Sequence, residues 1–128
     1  GELERIAVLI ERYAGSLDVV CGADAAAPVF FDAGVQCWIG GIANLLPNAH
    51  VAMLQTDQRS EVHQAIVAIL EYIEAGNYIA KVKAAMSMRG LDVGVPRAPM
   101  ASLSVDEIEE LSELLDAAGA WAPSLDGS

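Results

Sequence analysis

Two short turns hold the residues most able to do chemistry in this 128-residue chain: Cys21-Gly22-Ala23-Asp24 and Ile39-Gly40-Gly41-Ile42-Ala43-Asn44. Cys21 offers a thiol just ahead of a helical pattern, where a helix N-terminus would lower its pKa and favour the nucleophilic thiolate. No histidine lies near it in sequence to serve as its base, so a buried structural thiol is the preferred reading. Asp24 offers a carboxylate to the distal part of a ligand, and helix capping explains it equally well. Imine chemistry would need a desolvated amine. The lysines are Lys81 and Lys83, both in a later helical pattern. His50 and His63 stand thirteen positions apart with no third ligand at metal spacing, so no metal site and no cofactor are expected.

The elements around these turns follow from apolar spacing. Leu17–Cys21 and Gln36–Gly40 are short apolar runs suited to buried strands. Each leads into a helical pattern, Ala25–Ala33 behind Asp24 and a segment from Pro47 to about Thr56. With the helical pattern Glu2–Tyr13 ahead of them, they make two consecutive βα units. Ligands of such units sit at the carboxyl ends of the strands, which is where both turns fall. Asp57–Ala75 then reads as a long amphipathic helix with Val62, Ala65, Ile66, Ile69, Leu70 and Ile73 on one face. Tyr78–Arg89 is another helix. Ser104 and Glu107 have capping-box spacing at the start of a last one, with Val105, Ile108, Leu111, Leu114 and Leu115 as its buried stripe.

Two parallel strands do not make a sheet that stands alone. The order therefore predicts an α/β protein: the last part of a (β/α)8 TIM barrel followed by a C-terminal helical domain. Residues 1–56 would be barrel units, 57–120 the helical domain and 121–128 a flexible tail.

Composition narrows the function. At 54% hydrophobic residues, a packed domain is expected and disorder is not. The formal net charge of −11 opposes nucleic-acid binding, since phosphate contacts need clustered Lys and Arg. No apolar run approaches the ~18 residues of a membrane span, and no signal peptide opens the chain. A stagger of about three residues between Cys21 and Cys37 would put them ~10 Å apart, beyond disulfide reach. Two reduced, mostly buried thiols suit a cytoplasmic protein.

These residues resemble a known family. Leu17-Asp18-Val19-Val20-Cys21-Gly22-Ala23-Asp24 resembles the seventh strand and G-x-D turn of the dihydrodipicolinate synthase/N-acetylneuraminate lyase family. Cys37 to Asn44, with Pro47 after it, resembles that family's eighth strand and A-N-x-x-P turn. Val82-Lys83-Ala84-Ala85, Gly90 and Arg97-Ala98-Pro99 resemble its C-terminal helical region. Gly1-Glu2-Leu3 resembles the end of the segment that opens its sixth helix.

The resemblance implies an oligomeric class I aldolase, which joins a lysine to pyruvate or a related 2-keto acid as a Schiff base. It implies substrate-binding roles for four positions. The Ile39 backbone carbonyl would line the imine site, Gly22 would allow close approach beneath the substrate, and Asp24 would face its distal part. Gly40, where the family often has Ser or Thr, would form the pocket wall. It also implies that the nucleophilic lysine precedes Gly1. The chain is then a C-terminal segment without a catalytic residue, expected to be inactive alone and to belong with an N-terminal barrel segment. Lys83 and Arg97 match structural positions. The residues also leave open a reading of a different class: a non-catalytic interaction or scaffold module pairing with a barrel partner.

Overall fold

The structure, a computed structural model, describes residues 2–13 and 15–123. Gly1 and most of the expected tail lie outside the described residues. Contacts divide the chain into two compact units, Gly1–Gly40 and Gly41–Ser128. The described residues are mostly helical, with one small sheet among them.

The first unit runs α1 (Glu2–Tyr13), β1 (Val20–Cys21), α2 (Ala27–Asp32) and β2 (Cys37–Trp38). The strands pair in parallel, Val20 with Cys37 and Cys21 with Trp38, as two βα units require. The Ile39 N–H donates to the Cys21 carbonyl at 2.9 Å and carries the ladder one step further. Both strands are shorter than the apolar runs that predict them. A ladder extends only where a neighbour holds the backbone groups, and among the described residues each strand has one neighbour. Ile6, Cys21, Ala27 and Val35 form the buried core.

The register and the turn overturn two expectations. Cys37 pairs with Val20, so Cys21 and Cys37 are offset by one position, not three. Side chains alternate along a strand, so the two thiols point to opposite faces. Both are free, with Cys21 buried and Cys37 exposed, so the expected burial fails for the second. Asp24 does not cap α2, which begins at Ala27 with Ala26 as N-cap and a proline in its first turn. Pro28 suits a first turn because its missing N–H has no partner there to lose. Asp24 instead opens the preceding turn, its carbonyl accepting from Ala27 N at 3.4 Å.

The second unit holds a 3-10 turn (Gly41–Asn44), α3 (Pro47–Met53), α4 (Arg59–Glu74), α5 (Tyr78–Met88), α6 (Val105–Ala118) and a closing 3-10 turn (Gly119–Trp121). Val62, Ile66, Ile69, Leu70 and Ile73 of α4 are buried, as their spacing predicts. They pack among α3, α5 and α6, and α3 also packs on the first 3-10 turn. Residues 41–53 therefore join the helices that follow them. Between α4 and α5 the chain reverses through Gly76 (φ 142°) and Asn77 (φ 52°), a region open to glycine and tolerated by Asn. No helix among the described residues is long and apolar enough to cross a membrane.

Of the α6 stripe, Leu111 and Leu115 are buried and Leu114 is half-buried, while Val105 is 69% and Ile108 41% exposed. The first turn is held by polar contacts instead. Glu107 N–H donates to Ser104 Oγ at 3.2 Å, and Ser104 N–H donates to Glu107 Oε2 at 2.8 Å. Asn77 Nδ2 donates to the other carboxylate oxygen at 3.1 Å. The Ser104 N–H, and then Asn77, hold the Glu107 carboxyl below its ordinary range. A lowered folded-state pKa gives stability that is present above the unfolded value and lost as pH falls through the folded one. Ser104→Ala is expected to cost about 1 kcal/mol in urea denaturation at neutral pH. The difference between wild type and Glu107→Gln should close as the solution is acidified. An unchanged midpoint in Ser104→Ala would place the start of α6 under packing control.

Candidate functional site

Because β1 and β2 run parallel, their carboxyl ends share one edge of the sheet. Gly22, Ala23 and Asp24 follow β1 there, and Ile39 and Gly40 follow β2. The turn after β1 is fixed from below: the buried Cys21 thiol donates to the Ala23 carbonyl at 3.3 Å. That contact makes Cys21 a donor that shapes the turn.

Asp24 and Gly40 are brought together. A Cβ built on Gly40 would run into Asp24 Oδ1 and would lie 2.9 Å from both Cε2 and Nε1 of the Trp38 indole. The carboxylate and the indole edge thus occupy the space that any other residue at position 40 would need. Asp24 is 4% exposed. The Trp38 ring is held edge-on by Phe31, with centroids 5.8 Å apart and planes at 71°.

Ile39 lies between Trp38 and Gly40, tied to Cys21 by its N–H, with its side chain 76% exposed. Gly22 has open space where a Cβ would stand. Sequence reasoning missed Trp38. The available signal was a large aromatic at a strand end immediately before a residue and two glycines, which marks a crowded backbone.

The second unit has its own close approach. A Cβ on Gly41 would meet the Tyr78 hydroxyl, and Asn44 Nδ2 donates to the Gly41 carbonyl at 3.0 Å, closing the 3-10 turn. Both lysines are in this unit and both reach carbonyls. Lys81 Nζ donates to Tyr72 O at 2.6 Å and Lys83 Nζ to Val93 O at 2.7 Å. Lys83 therefore ties α5 to the connection that follows it. Arg97 is exposed. His50 and His63 are half-buried, and among the described residues no three His, Cys, Asp or Glu groups gather as a metal site would require.

Parallel βα units with glycine-lined strand ends, followed by packed helices, are the marks of an α/β protein built like part of a βα barrel. The sequence pattern of the dihydrodipicolinate synthetase family matches residues 1–118, and the chain belongs to that family. An uncharacterised DapA-like lyase of Halobacterium salinarum is 28% identical over 97 residues, covering 71% of this chain and 32% of that protein. A dihydrodipicolinate synthase of Bacillus clausii is 28% identical with a TM-score of 0.81, covering 90% of this chain and 43% of that one. The N-acetylneuraminate lyase of Proteus mirabilis shares the fold at 19% identity, with a TM-score of 0.76 over 92% of this chain and 42% of its own. The chain thus spans about a third of this curated relative, 32%, and 42–43% of these solved structures.

Proposed function

We propose that this chain is the C-terminal segment of a Schiff-base lyase or aldolase acting on pyruvate or a related 2-keto acid. It would supply the seventh and eighth strands of a (β/α)8 barrel, with residues 57–120 as a helical domain and 121–128 as a tail. The complete enzyme would be a cytoplasmic homo-oligomer whose N-terminal segment carries the nucleophilic lysine, and residues 1–128 alone would be inactive. Ile39, Gly22 and Gly40 would line the keto-acid end of the pocket.

One observation carries this reading. The family's strand-end glycines and Ile39 share a sheet edge, while both lysines of the chain are engaged with carbonyls in the helical unit. In a Schiff-base reaction the amine adds to the keto carbonyl carbon and water leaves, giving an iminium. That iminium takes up the electron pair released when the neighbouring carbon loses a proton or a carbon–carbon bond breaks. The amine must therefore reach the keto acid, whereas Lys81 and Lys83 both lie on α5 and donate to carbonyls of the helical unit.

Pyruvate and borohydride test the reading, because hydride adds to the iminium carbon and makes the link permanent. The complete enzyme should gain one reduced pyruvate adduct, mapped to a peptide outside residues 1–128. Residues 1–128 alone should gain none. A label on Lys81 or Lys83, or no label on the complete enzyme, would overturn it.

A further inference from the structure

Asp24 is the residue of this edge whose role the geometry changes most. A carboxylate that touched substrate would need surface open to the pocket. Asp24 is 4% exposed. Its Oδ1 instead packs on Gly40 from the side where a Cβ would project.

That contact falls at a sensitive point. The carbonyl of Ile39 and the Cα atoms of Ile39 and Gly40 lie in one rigid peptide plane. The Ile39 end is anchored by its N–H on the Cys21 carbonyl at 2.9 Å. The Gly40 end is packed against the Asp24 carboxylate and the Trp38 indole, which meets Phe31 edge-on.

We propose that Asp24 is a positioning residue. Buried against Gly40, it holds the Ile39–Gly40 peptide plane and so aims the Ile39 carbonyl at the iminium. This rests on the Schiff-base reading of the complete enzyme. A carbonyl dipole aimed in advance stabilises developing positive charge without reorganising during the reaction. Gly40 belongs to the same device, since only a residue without Cβ lets the carboxylate reach the backbone.

The test separates positioning from direct substrate contact. In the complete enzyme, the rate of pyruvate trapping by borohydride is measured without a second substrate. Asp24→Ala should slow trapping by about 10- to 100-fold, the cost of a misaimed group. Gly40→Ala should slow it comparably, because its Cβ displaces the carboxylate. Asp24→Asn, which fills the same space, should recover most of the loss. Circular dichroism and thermal melts confirm that each variant is folded. If Asp24→Ala does not fold, the other two variants decide.

Trapping at the wild-type rate in Asp24→Ala, with a raised KM for the second substrate, would make Asp24 a substrate ligand and overturn the proposal. So would a wild-type rate in Gly40→Ala, or an Asp24→Asn variant as slow as Asp24→Ala. Failure of the unaltered enzyme to trap pyruvate would be seen before any variant is compared. It would sink the Schiff-base reading and this proposal with it.

Discussion

Lys81→Ala is expected to lower the free energy of unfolding by about 3 kcal/mol. The last carbonyls of a helix have no partner within it, and a cation near them satisfies both the lone pairs and the dipole. Lys81 does this for α4, donating to the Tyr72 carbonyl at 2.6 Å while only 5% exposed. Its ammonium also lies 3.8 Å from the centroid of the Tyr72 ring. The same tyrosine then reaches α6, its hydroxyl donating to the Glu107 carbonyl at 3.0 Å. Burial, and then the charges of Glu110 and Glu107, push the phenol above its ordinary range, which keeps that donor protonated. One lysine therefore anchors α5 to the end of α4 beside the α4–α6 contact.

Truncation removes a charge-assisted hydrogen bond and a cation–π contact, and it leaves a shielded carbonyl unmet. Lys81→Met keeps the stem on the ring and should lose less, about 2 kcal/mol. Urea denaturation with equal m-values for all three proteins would read these differences as stability. A Lys81→Ala loss no larger than that of a surface lysine would show that α4 ends without this cap.

The helices were legible because their signals are local. Gly76-Asn77 marks a reversal that needs positive φ, and the Ser104–Glu107 box needs three residues of spacing and nothing else. The parallel pairing of the strands was legible from order, since a helix between two short apolar runs leaves little other choice.

What was missed depends on partners. The length of β1 and β2 is set by neighbours along the ladder, not by the apolar run. The exposure of Cys37 follows from its register with Val20, which no single-strand pattern contains. Val105 and Ile108 have helical spacing, yet the element beside them decides whether that face is covered. At the candidate site, the sequence pointed to Gly22, Asp24, Ile39 and Gly40 through resemblance. The meeting of Asp24, Trp38 and Gly40 is a contact between two turns that the sequence shows only as separate residues.

Gly41→Ala should cost about 1–3 kcal/mol, the usual range for overpacking, through one identifiable neighbour. A Cβ at Gly41 would collide with the Tyr78 hydroxyl and would stand 2.9 Å from Cζ and 3.0 Å from Cε1 of that ring. The ring is not a loose surface tip: Tyr78 is the first residue of α5 and is half-buried. The added methyl must therefore turn the ring away, move the start of α5, or shift the 3-10 turn that Asn44 closes onto Gly41. Tyr78→Phe removes the nearest atom but leaves the ring carbons tight, so it should relieve part of the clash. In a double-mutant cycle the two changes should cost less together than their sum, by at least about 0.5 kcal/mol. Strict additivity would place the strain of Gly41→Ala elsewhere. The Tyr78 ring would then no longer account for a glycine at that position, and backbone conformation would not replace it, since Gly41 is not among the glycines held at positive φ.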